Sequence, residues 1–230
     1  MNRAAFFANL RAQGEPFGAR ITQGQVDGVE AILDACDRRG VTDPHHVANI
    51  LAQVFHETGG RMLPVRETFA ASDAEAIRRL DSAFARRQLP GVRAPYWRDG
   101  WFGRGAIQIT HRGNYAKLGE RLGVDLVGNP DLALDPAVSA DIAVVGMVEG
   151  LFTGRRLADF AFPTDLGAPV ASNPRRIVNG RDGTDATVAR HHRAFRAALD
   201  HWRPAQPEPA PTGWAAFIAA LKARLFAREK

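Results

Sequence analysis

The stretch Val47-Ala48-Asn49-Ile50-Leu51-Ala52-Gln53-Val54-Phe55-His56-Glu57-Thr58-Gly59-Gly60 decides how the rest of the sequence is read. Val47, Ile50, Leu51, Val54 and Phe55 recur in steps of three and four, the spacing of one helical face. Thr42-Asp43-Pro44, just ahead, supplies a capping side chain and then a proline suited to the first helical position. Gly59 and Gly60 end the helix, so its last turn presents an acid, Glu57. Working upstream, Val26, Val29, Ile32, Leu33 and Cys36 mark a helix over 25–39, stopped by Gly40. Downstream, Ile77, Leu80 and Phe84 predict a helix over 73–87. Asp135-Pro136 repeats the cap-and-proline signal ahead of Val138, Ile142, Val145 and Val148, and a further helix is expected over 184–202. Strand signals are thin: Ala106 to Thr110 alternates briefly, and Arg176-Ile177-Val178 is shorter still. The expected fold class is mainly α, an α+β chain with minimal sheet.

Composition bounds the function. At 230 residues, 45% hydrophobic and 24% charged, the chain has the apolar mass for a packed core and is not disordered in bulk. No run reaches the ~18 apolar residues of a membrane span. A single cysteine, Cys36, leaves no internal disulfide and no multi-cysteine metal site. The net charge of +5 and pI near 10.1 favour polyanionic surroundings, whether nucleic acid, anionic lipid or an acidic cell envelope. No nucleic-acid motif or concentrated basic face accompanies that charge, so nucleic acid is not expected as a partner. The start MNRAAFFANLRAQGE lacks the uninterrupted apolar run of a secretory signal, which leads to the expectation of a product made in the cytoplasm.

His56-Glu57 first suggests a zinc peptidase helix, but the position of the second histidine is Gly60, and no metal or cofactor is expected. A second acid, Glu67, follows ten residues on, after two glycines and Pro64, a distance that lets the chain cross a groove and return. An acid at the border of an apolar cleft can hold a proton, and a second, ionised one can face it. Such a pair is the minimum equipment for glycosidic cleavage. Spacing alone leaves the alternatives open: Glu57 as a helix-end surface acid, Glu67 as an ion-pair partner of Arg61 or Arg66.

Three motifs in order, His56-Glu57-Thr58-Gly59-Gly60, the run Trp101-Phe102-Gly103-Arg104-Gly105-Ala106-Ile107-Gln108-Ile109-Thr110 continuing to Asn114-Tyr115, and Ile177-Val178-Asn179-Gly180, change that balance. Together they resemble glycoside hydrolase family 19, the chitinases and related bacteriophage endolysins of the lysozyme-like superfamily. The resemblance implies a lysozyme-like, two-lobed helical domain with a central cleft and an inverting mechanism. It casts Glu57 as general acid, Glu67 as general base and Thr110 as a hydroxyl that helps hold the attacking water; the acids of an inverting pair stand ~6.5–9.5 Å apart. It also places Thr58, Gln108, Asn114, Tyr115 and Asn179 at the sugar. Tyr96 and Trp101, aromatics in a loop, are candidates for stacking on sugar faces or for anchoring the core. Arg104 is read as a partner for one of the two catalytic carboxyls, and His191-His192 as a half-exposed helical pair.

Compared with plant-type chitinases, the interval between the two acids is short and disulfides are absent. With the basic charge and the lack of an export signal, this favours peptidoglycan strands over chitin as substrate: a muramidase-like endolysin reaching the wall once the membrane is opened, and acting as a monomer. The expected organisation is a catalytic domain over 1–203, a proline-rich linker over 204–212 and a basic amphipathic helix over 213–230. In that tail Trp214, Phe217, Ile218, Leu221 and Leu225 share one face, suited to anionic outer-envelope or lipopolysaccharide contact.

Overall fold

The computed structural model describes residues 2–89 and 91–199. The linker and the tail helix therefore lie outside the described residues. Among the described residues seven α-helices carry the fold: α1 (Arg3–Gln13), α2 (Gln23–Arg38), α3 (Pro44–Glu57), α4 (Asp73–Ala85), α5 (Arg112–Leu122), α6 (Pro136–Glu149) and α7 (Asp185–Ala198). The sheet is one antiparallel pair of two-residue strands, β1 (Val65–Arg66) and β2 (Arg104–Gly105), with Val65 opposite Gly105 and Arg66 opposite Arg104. The mainly helical class read from the sequence is what the structure shows.

The helix starts follow the capping chemistry. Thr22 and Gln25 form a reciprocal capping box on α2. Asp43 and Asp135 accept backbone N–H groups at the starts of α3 and α6, each with proline in the first turn. Ser72 does the same for α4. Helix α3 is the central element. Every residue from Val47 to Val54 is buried, because α7 covers one side of it and α2 and α6 pack alongside. These helices, with α1, build the main core. Two smaller clusters flank it, one under α5 around Tyr115 and Leu118, one under α4 around Leu80, Trp97 and Phe102.

Four features depart from the sequence reading. Segment 106–110 is not a strand but a tight turn, in which Ile109 bridges back to Arg104 and Gln108 adopts φ +54°. Residues Pro174–Ile177 form a 3-10 turn rather than a strand. The expected helices are shorter at their C-terminal ends, α4 stopping at Ala85, and α1 and α5 were not anticipated. His191 and His192 are buried: His192 stacks on Phe162, with centroids 5.1 Å apart, and lies 3.2 Å from His45. Burial pushes His191 down to about 4 and His192 to about 3, with neighbouring positive charge adding to it.

Candidate active site

Helix α3 ends where its backbone ladder is turned aside. Thr58 Oγ1 donates to the Val54 carbonyl at 2.7 Å and accepts the Met62 N–H at 3.0 Å. Gly59 and Gly60 then take φ of +58° and +80°, a region that costs glycine little. Glu57 is left at the mouth of a cavity of about 290 Å³, close to the small end of the ~300–1,000 Å³ usual for ligand sites. Gln108, Thr110, Asn114 and Asn179 share its lining, with Ile107, Ile109, Phe152 and Val178 as the apolar part.

The Glu57 carboxyl meets a buried guanidinium. Arg175 is 1% exposed, and its Nη2 lies 2.6 Å from Glu57 Oε1, an ion pair not aligned as a hydrogen bond. The same nitrogen lies 2.6 Å from Asp182 Oδ2, which also accepts Arg175 Nε at 3.0 Å, while Nη1 donates to Gln53 Oε1 on α3 at 2.7 Å. Asp182 further accepts from the Thr184 hydroxyl and from Asn179 Nδ2. Burial works against its charge, but the hydrogen bonds from Arg175 and Thr184 outweigh it and hold the carboxyl well below the usual range. Glu57, Arg175, Asp182 and Asn179 thus form one connected line, of which Glu57 and Asn179 line the cavity. Burial, and then the charge of Arg175, lower the His56 pKa, which keeps that ring neutral at pH 7.

Glu67 follows β1 directly. Its backbone N–H donates to the Gly103 carbonyl, and its Oε2 accepts the Gly103 N–H at 2.7 Å. Tyr96 donates its hydroxyl to Glu67 Oε1 at 2.6 Å, and burial together with that bond raises the phenol pKa. Glycine at 103 leaves room for both side chains: a Cβ would stand 2.8 Å from Gln108 Oε1 and 3.3 Å from Glu67 Oε2. Both the Glu67 carboxylate and the Gln108 amide thus lie close to Gly103, although only Gln108 of the two lines the cavity. Gln108 is fixed by donating to the carbonyls of Val65 (2.7 Å) and Gly105 (2.8 Å), which leaves its oxygen toward Gly103. Asn114 donates to the Thr110 carbonyl at 2.8 Å, so its amide orientation is set within the same turn.

Several expectations are corrected. Thr58 is fully buried and serves the helix end, not the sugar. Tyr115 is fully buried too, donating to the Phe102 carbonyl at 2.8 Å, with Trp101 packed edge-on against its ring. Neither Tyr115 nor Trp101 lines the cavity. Arg104 pairs with neither glutamate; it binds Asp73 (2.6 Å) and Asp131 (2.9 Å), because its buried side chain points away from the cavity under Phe102. Tyr96, a candidate for sugar stacking or core anchoring, has its hydroxyl on Glu67.

Residues 31–149, more than half of the chain, match the family described as chitinase class I. The chain belongs to glycoside hydrolase family 19. Among curated family 19 relatives, endochitinase 4 of Solanum tuberosum is 53% identical over 45 residues, 19% of this chain and 15% of that protein. Endochitinase B of Nicotiana tabacum is 58% identical over 40 residues, 17% of this chain and 12% of that protein. The matched stretch spans less than a fifth of these relatives' length. Chitinase C from Streptomyces griseus HUT6037 superposes with a TM-score of 0.50 at 22% identity, over 85% of this chain and 74% of that one. A mutant form of a chitinase C gives 0.50 and 22% over 84% and 89%. Both likenesses are of fold.

Sequence reasoning missed Arg175 and Asp182. An arginine doublet behind Pro174 reads as surface charge, and only the proximity of Ile177-Val178-Asn179-Gly180 hinted that this segment reaches the site.

Proposed function

We propose that the chain hydrolyses β-1,4 bonds between amino sugars of peptidoglycan, with inversion. The observation that carries this is the cavity that gathers Glu57, Gln108, Thr110, Asn114 and Asn179, with the Glu67 carboxylate fixed nearby on the Gly103 N–H. In this reading Glu57 passes its proton to the departing glycosidic oxygen, and the Arg175 guanidinium stabilises the carboxylate left behind. Glu67 takes a proton from water on the opposite face of the sugar ring. Tyr96 and Gly103 each occupy one of its oxygens from one side, which fixes the plane of the carboxylate and leaves lone pairs for that water. Thr110 supplies a hydroxyl, and the amides of Asn114 and Asn179 offer the mixed donor and acceptor character that hydroxyl and N-acetyl groups need.

Peptidoglycan is favoured over chitin by the +5 charge against an anionic wall. The names of the curated relatives favour chitin as the second reading. Digestion of purified sacculi and of colloidal chitin in parallel, with mass analysis of the released sugars, decides between them: products from chitin alone overturn the first. Proton NMR of fresh products should show the α-anomer, as inversion at a β-bond requires. Glu57→Gln and Glu67→Gln should each lower kcat by roughly 10²–10⁴ with the melting temperature kept.

A further inference from the structure

A second cavity, of about 280 Å³, opens beside the first, lined by Arg61, Pro64, Val65, Arg66, Phe69 and residues next to them. The two are close neighbours. Val65, whose carbonyl holds Gln108 of the first cavity, forms part of the second, and a Cβ at Gly59, two residues beyond Glu57, would stand 3.1 Å from both Arg61 and Phe69. Phe69 is 48% exposed, although the adjacent Ala70 is buried in the α4 cluster. Its backbone explains how the ring stays out: Thr68 and Phe69 both occupy the left-handed region, with φ of +59° and +55°. A side chain other than glycine is strained there, and strain of this kind gathers at binding sites.

The charges on this cavity differ in kind. Arg66 is neutralised by Asp73 and Asp131. Arg61 is exposed, lies over the Phe69 ring at 4.2 Å, and has no carboxylate partner among the described residues. Stacking of a guanidinium on an aromatic face limits its rotation and leaves the planar edge of its N–H groups for a ligand. That edge matches a carboxylate, which it can bind through two parallel hydrogen bonds.

We propose that this cavity is a subsite for the carboxylate-bearing peptide branch of a peptidoglycan strand, with Arg61 binding a carboxylate and Phe69 supporting the guanidinium and the apolar part of the branch. The inference rests on the peptidoglycan reading above and adds to it a residue that distinguishes a branched, anionic strand from an unbranched, neutral one. Chitin carries no such branch and gives Arg61 nothing to bind.

The test compares two preparations of one sacculus, one with the peptide-branch carboxylates free and one with those carboxylates blocked as neutral amides by carbodiimide coupling. The wild-type full chain should show a higher kcat/KM on the strand with free carboxylates. An exposed charge pair is worth up to about fivefold in binding, so the preference should be of that order and should reside in KM. Arg61→Glu should bring the ratio of the two kcat/KM values to one or below, and Arg61→Lys should restore part of it. Phe69→Ala, which removes the support and leaves the charge, should lower the ratio less than Arg61→Glu. A wild-type chain that cleaves both preparations equally, or an Arg61→Glu variant that keeps the wild-type ratio, overturns the subsite while leaving the hydrolase reading intact. A wild-type chain that releases sugar from neither overturns both.

Discussion

Replacing Arg175 by Met removes the one cation that Glu57, Asp182 and Gln53 share. The side chain is 1% exposed, whereas those of Glu57 and Asp182 retain 15% and 23% of their surface. Breaking a fully buried pair from one side costs ~3–5 kcal/mol, and partial access of water to both carboxylates places this case at the lower end, about 3 kcal/mol. For a domain of this size each kcal/mol moves the midpoint by roughly 2–4 °C, so Arg175→Met should melt about 6–12 °C lower at pH 7. The difference should depend on pH. Asp182 is depressed in the folded wild-type protein, so its contribution is present above the ordinary aspartate pKa near ~3.9 and is lost as pH falls through the lower folded value. The variant lacks much of that depression. Thermal melts of both proteins from pH 7 to pH 2 should therefore show a gap that holds down to pH ~4 and narrows progressively below it. A gap that stays constant across the series, or one under ~1 kcal/mol at pH 7, would refute the ionic account of this cluster.

Tyr96→Phe removes the hydroxyl bonded to Glu67 Oε1, and kcat should fall about tenfold with KM held within about twofold, as steady-state kinetics on sacculi would show. Gly103→Ala places a methyl 2.8 Å from Gln108 Oε1, so one of the two groups must shift, and a kcat loss of roughly ten- to hundredfold is expected. His192 is held in its neutral form, with its pKa pushed down to about 3 in the fold. Protonation then favours the unfolded chain, so stability should decline as pH falls below ~6.5, and His192→Gln should flatten that slope in melts between pH 6.5 and 4.

The helices with a capping side chain and a glycine stop were legible because those signals are local. Helices α3 and α6 follow from Asp43, Asp135 and the apolar steps behind them, and α2 from its apolar steps and the stop at Gly40. Helix α5 had no such announcement. Its cap, His111, sits at φ +64° with no side-chain bond, and Gly113-Asn114 reads as a turn. The alternation from Ala106 to Thr110 has a different origin from strand pairing: the segment folds back on Arg104 while Gln108 turns inward to brace Val65. In the site, the motif residues Glu57, Gln108, Thr110, Asn114 and Asn179 do line one cavity, whereas Thr58 and Tyr115, from the same motifs, hold the helix end and the core. Arg104 and Arg175 could not be assigned partners from sequence. A buried arginine is defined by acids distant in the chain, here Asp131 for one and Glu57 for the other.

The two acids ride on supports of unequal stiffness. Glu57 closes a helix enclosed on all sides, while Glu67 hangs from a two-residue strand beside a small satellite cluster. Local opening is cheapest where little apolar surface is enclosed, so amide exchange should be slowest at 50–54 and faster at 65–69. In the proposed reaction, the tightening on a bound strand falls to the Glu67 side, which closes upon a stationary Glu57.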